Sequence, residues 1–159
     1  MLAGKHSPAD ATDQEDGGAD DWGLLLVKGE VSDESGSGKR IKWKDNNAVS
    51  RISVGELDSW TRLIGGGGSG IKMKDDTLLF PVEGSKKGDA PNGKKAISLL
   101  IYSLKDNEIW KLSKEAPDGG CSDPSVVEWK DEKLIMMTAC DDGRRRVYES
   151  GDMGDSWTE

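Results

Sequence analysis

Apolar residues in this chain come in short runs separated by turns rich in Gly, Asp, Ser and Lys. Asp21 to Val31, with Leu24-Leu25-Leu26-Val27 at its centre, predicts a buried strand. Lys39 to Lys44 alternates polar and apolar through Ile41 and Trp43, as a half-buried strand does. Ile71 to Lys74 and Thr77 to Val82 flank Asp75-Asp76 and predict a hairpin. Ile97 to Tyr102 and Arg146 to Tyr148 are further strands, and Leu2 to His6 reads as a strand end. Asn46 to Arg62 follows neither period and reads as a long loop. Gly120 to Trp129 and Lys133 to Cys140 form a hairpin that turns at Lys130-Asp131-Glu132. With Trp129 facing Lys133, Asp123 faces Ala139, and Cys121 falls within one residue of the position opposite Cys140. That is near enough for a disulfide, which needs Cα atoms within about 7 Å. No amphipathic helical stretch exceeds about two turns, so the pattern is all-β.

The strands are punctuated by a repeated turn. Ser150-Gly151-Asp152-Met153-Gly154-Asp155-Ser156-Trp157 fits S-x-D-x-G-x-(S/T)-W at each of its five fixed positions. In such a turn Asp152 can accept from main-chain N–H groups. Gly154 can take a positive φ, Ser150 can add a local bond, and Trp157 can cover the turn with its ring. A worn copy lies 47 residues earlier, Ser103 to Trp110, with the same Ser-to-Trp spacing of seven. Lys105 replaces its Asp and Asn107 its Gly, and Asn tolerates positive φ best among other residues. The pattern resembles the Asp box, the turn between the third and fourth strands of a sialidase-type blade. A repeat of about 40–50 residues with four strands each is a propeller blade. The box builds blades and carries no chemistry.

Composition removes several function classes. The net charge of −8 argues against nucleic acid. The acids gather in Asp10, Asp13, Glu15, Asp16, Asp20 and Asp21, and this reads as a solvated loop. Calcium-loop spacing fails there, because Thr12 stands five before Gly17. No metal or cofactor is expected. Gly65-Gly66-Gly67-Gly68-Ser69-Gly70 lacks a Gly-Lys-(Ser/Thr) ending and reads as a close backbone approach near a propeller axis, not a phosphate loop. There is no signal peptide, membrane span or N-x-S/T sequon. About three blades fit in 159 residues and cannot close a propeller, so residues 1–159 read as an internal piece of a longer chain.

Together, Asp21-Trp22 through Val31, Ile41-Lys42-Trp43, Leu79-Phe80-Pro81-Val82, Gly120-Cys121-Ser122-Asp123-Pro124, Arg144 through Ser150 and the box resemble the trypanosomal trans-sialidase family. The resemblance implies an all-β fold, part of a six-bladed sialidase-type β-propeller with antiparallel four-stranded blades. Active members clamp the sialic acid carboxylate with three arginines and attack with a Glu-assisted Tyr, an Asp serving as general acid/base. Two of those positions fall in this chain. The family Glu aligns with Asp123 and the middle Arg with Ala139. Thr12 and Asp13 stand where active trans-sialidases carry a Tyr-Trp pair, and Glu83 where the family has Gln.

The Asp123/Ala139 pair points away from sialoside chemistry. Asp is a methylene shorter than Glu, and the missing guanidinium is a bidentate carboxylate contact. A rescue by Arg144, Arg145 or Arg146 is expected to need a register shift. The resemblance therefore implies a non-catalytic surface glycoprotein engaging host-cell glycans or proteins. A sialidase with an altered site and an unrelated repeat protein are the competing readings.

Overall fold

Ile97–Ser103, the strand β9, is buried at every position but the half-buried Tyr102. A strand buried on both faces must lie in a sheet covered on both sides. Its alternation divides two cores. Ile97, Leu99 and Ile101 pack with Leu24, Trp60, Leu63, Val82 and Trp110. Leu100 and Tyr102 pack with Met73, Leu79, Val126, Leu134, Met136 and Tyr148. The computed structural model describes residues 2–4, 24–34, 38–43, 50–51, 60–86, 95–103 and 110–159.

The middle sheet runs β10-β9-β8-β6, with β6 Trp60–Gly65, β8 Leu78–Lys86 and β10 Trp110–Leu112. β7 (Ile71–Lys72) pairs with the far end of β8, so the glycine run interrupts the first strand of this sheet. On one side lies the sheet β1-β2-β5, with β1 Leu2–Gly4, β2 Leu24–Leu26 and β5 Ser50–Arg51. On the other lies β11-β12-β13, with β11 Cys121–Glu128, β12 Leu134–Cys140 and β13 Arg145–Ser150. A bridge between Glu149 and Thr158 begins a fourth strand there. All strand pairings among the described residues are antiparallel. Among the described residues the helical content is one 3-10 turn, Lys130–Glu132, and no helix is long and apolar enough to cross a membrane.

The expected strand from Asp21 to Val31 is corrected by the structure. It breaks after Leu26, and β3 (Gly29–Glu34) turns back as β4 (Gly38–Trp43) in a separate hairpin. Val31 is 66% exposed, because this hairpin has no described sheet over it.

The two boxes occupy equivalent places. Ser103 pairs with Trp110, and the Glu149–Thr158 bridge puts Ser150 across from Trp157 in the same way. Both serines are buried. Each tryptophan packs into the core between its own sheet and the preceding one. Asn107 lies outside the described residues.

The intact box is held by its own polar atoms. Ser150 Oγ accepts from Gly154 N at 2.8 Å and donates to Asp152 Oδ1 at 2.8 Å. Asp152 accepts from Ser156 N at 2.9 Å and from the Ser156 hydroxyl at 2.6 Å. Gly154 sits at φ +88°, a region closed to most side chains. The turn also ties two sheets together: Lys114 N donates to Gly154 O at 2.8 Å, and Trp157 Nε1 donates to Lys114 O at 3.1 Å.

The Ser156 and Ser150 bonds hold the Asp152 carboxyl down at about 2. A depressed carboxylate stabilises the fold above its unfolded pKa and stops doing so as pH falls through its folded pKa. Melting temperature measured against pH should therefore separate the wild type from Asp152→Asn at neutral pH, with the gap closing between about 4 and about 2. A gap independent of pH would refute the charge-based account.

The glycine run makes the expected close approach. A Cβ on Gly66 would stand 2.8 Å from both Pro124 Cγ and Pro124 O, whereas at Gly67 it would meet nothing within 4 Å. Overpacking against backbone predicts that Gly66→Ala loses about 2 kcal/mol in urea unfolding, while Gly67→Ala loses none. Equal effects at the two positions would overturn this.

Candidate functional site

At one end of the contact between β8 and β11, four of the sequence-derived features converge: Asp123, Glu83, the glycine run and the cysteine pair. The expected hairpin register holds from Ser125 to Glu128, then slips. Ser125 pairs with Met137, but Ser122 pairs with Ala139 and Cys121 with Cys140. Asp123 and Pro124 together oppose Thr138, so the expected Asp123–Ala139 pairing is replaced by a β-bulge. Pro124 is the physical reason. It has no N–H for the ladder, and proline inside a sheet is confined to edges and bulges. The slip carries Cys121 directly opposite Cys140, and the two form a disulfide.

The bulge turns Asp123 outward. Its φ is +50°, it is exposed, and its N–H donates to Glu83 Oε2 on the neighbouring sheet at 3.1 Å. Ser122 Oγ donates to Asp123 Oδ2 at 3.3 Å. Behind the carboxylate Pro124 is buried against the glycine run. Two acids and a serine hydroxyl thus share one rim.

Ala139 adds only a methyl group to this end. On its other side it pairs directly with Arg145, with no register shift. Arg145 thus stands beside Ala139 on the next strand, in register, and not in the place of Ala139. The tight Asp141-Asp142-Gly143 turn was the signal, since it fixes Cys140 N on Arg144 O at 2.8 Å and the next pair follows from it. Arg145 is exposed. Arg146 points to the opposite face and is occupied, with Asp118 at 3.2 Å, Asp142 at 3.0 Å and Glu159 at 3.4 Å. Asp118 also accepts the Tyr148 hydroxyl at 2.9 Å. Burial first, and that bond second, push the Tyr148 phenol up to about 12.

Thr12 and Asp13 lie outside the described residues. Among the described residues no three His, Cys, Asp or Glu side chains are grouped to hold a metal. A groove of about 420 Å³ runs along the outer strand between Trp60, Lys86, Tyr102 and Asp155, and none of Glu83, Asp123 and Ala139 lines it.

Blades in antiparallel meander, an Asp box bracing adjacent sheets, and a proline bulge at their junction define a sialidase-type β-propeller, of which this chain is part. The chain belongs to the BNR repeat-like domain family, which it matches over residues 1–159. It is 34% identical over 164 residues to a sialidase of Trypanosoma cruzi, covering 100% of this chain and 14% of that protein. A Clostridium perfringens sialidase is 32% identical over 138 residues, covering 86% of this chain and 34% of that one. Among solved structures, Trypanosoma rangeli sialidase in complex with the inhibitor DANA superposes with a TM-score of 0.74 at 31% identity, covering 99% of this chain and 25% of that chain. The same sialidase in complex with sialic acid gives 0.70 at 28% identity, with the same coverage. The chain spans a seventh to a third of these relatives.

Proposed function

We propose that residues 1–159 form about three blades of the sialidase-like propeller of a cell-surface glycoprotein that does not turn over sialosides. It acts instead in host-cell adhesion or as a surface antigen, with host glycans or proteins as partners and its anchor in other regions. The observation that carries this reading is Ala139. A methyl group stands where the resemblance places a carboxylate-clamping arginine, while the acids Glu83 and Asp123 share the adjoining rim. Such a rim repels an anionic sugar. A further sheet over the β11-β12-β13 sheet is supported by the exposed Val127, Met137 and Val147 on its three strands, with Trp129 beside them. The test is hydrolysis and transfer from a sialyl-lactose donor by the protein at its natural length, with turnover expected at least ~10²-fold below that of an active relative.

A second reading has one observation in its favour. Arg145, paired directly with Ala139, could bring a guanidinium to the site from the next strand. That reading is a sialidase or trans-sialidase with an altered clamp.

A further inference from the structure

Asp123 is a non-glycine residue in the left-handed region, at φ +50°. Such a conformation costs on the order of 1–3 kcal/mol and persists only where the surroundings over-determine it. The surroundings here are three. The disulfide fixes the chain two residues earlier. Pro124 is wedged against Gly66 and Gly68 one residue later. Between them, the main-chain N–H of Asp123, freed from the strand ladder by the bulge, donates to Glu83 Oε2 at 3.1 Å. Glu83 is half-buried on β8, where its pairing with Ser98 and Ile64 fixes its backbone.

We infer that Glu83 is a positioning residue, whose carboxylate grips the Asp123 amide from the neighbouring sheet and thereby sets the outward direction of the Asp123 side chain. A backbone N–H that leaves the strand ladder bonds to water or to a side-chain acceptor held within reach, and here Glu83 is that acceptor. An ionised oxygen is a stronger one than a carbonyl. The bond links residues 40 apart, so it fixes the rim across two sheets and not within one hairpin. The role is independent of whether the protein turns over any substrate, and its test needs no activity.

The test is amide exchange and the amide proton shift of Asp123, followed by NMR in the full-length protein labelled with ¹⁵N-aspartate. Glu83→Ala should raise the Asp123 exchange rate by roughly tenfold or more, the loss of a hydrogen bond to a charged group. Its amide proton should move upfield. Glu83→Gln keeps an acceptor at the same reach and should restore most of the protection. Glu83→Asp keeps the charge but withdraws it by a methylene, and should behave like Ala; it also serves if the alanine variant fails to fold. Asp118 and Asp142, on the same label, should stay unchanged. Protection at Asp123 that survives both the Ala and Asp variants overturns the inference. So does a Gln variant as exposed as Ala, or a loss spread evenly over the three aspartates.

Discussion

The variant Cys121→Ser/Cys140→Ser should lose about 3 kcal/mol of unfolding free energy, the entropy gained by an unfolded chain released from a loop of this size. The two cysteines are 19 residues apart in sequence and directly opposite in the hairpin, at a Cα separation of 4.0 Å. Their bond therefore closes the β11–β12 hairpin at the end away from its turn. Trp129 N, donating to Lys133 O at 2.6 Å, closes the other end. Chemical denaturation of oxidised wild type against the serine variant measures the effect. A difference under about 1 kcal/mol would show that the 3-10 turn and the β12–β13 ladder already hold the hairpin in the unfolded ensemble. The larger consequence is local. Cys121 is two residues from Asp123, so removing the bond should also raise amide exchange through Ser122 and Asp123 before it affects Val126.

The elements that were legible in the sequence are those fixed by local chemistry. The Asp box spelled out its own hydrogen bonds, because Ser150, Asp152, Gly154 and Ser156 satisfy one another within seven residues. The turn at Lys130–Glu132 fixed the pairing of its hairpin as far as Ser125. Legibility ended at Pro124, where one missing N–H shifts the register by a residue and moves Asp123 off the position opposite Ala139. A bulge depends on what packs behind it, and here that is the Gly66–Gly68 backbone of the turn between β6 and β7, some sixty residues away. The exposure of Val31 was illegible for a related reason. Apolar content predicts a strand but not whether another sheet covers it. Glu83 was visible only as a substitution. Its bond to Asp123 arises from the stacking of two sheets, which no spacing along the chain encodes.

Sialyl-lactose turnover by the natural-length protein should fall at least ~10²-fold below that of an active relative, the scale on which a small misplacement at a reacting centre is felt. Two changes act together. On the proposed reading, the carboxylate of a sialoside would lose a bidentate partner at Ala139, and Asp123 would present an acid one methylene shorter from a bulge whose backbone Glu83 and the disulfide hold in place. The short side chain cannot be offset by backbone movement while those locks stand, so Asp123→Glu and Ala139→Arg are both needed. The matched variant should raise turnover over either single change, since each restores a different part of the site. Arg145→Ala separates the two functional readings. If the clamp is absent, the substitution changes nothing, because Arg145 serves the sheet edge alone. If Arg145 supplies the guanidinium, the wild type turns over substrate measurably, though below active relatives because Asp123 is still short, and removing this one residue abolishes carboxylate recognition while the melting temperature stays put. Wild-type turnover that is lost on Arg145→Ala would defeat the non-catalytic reading outright. Wild-type inactivity with an inert Arg145→Ala leaves Ala139, and not the neighbouring strand, as the reason the anion has no partner.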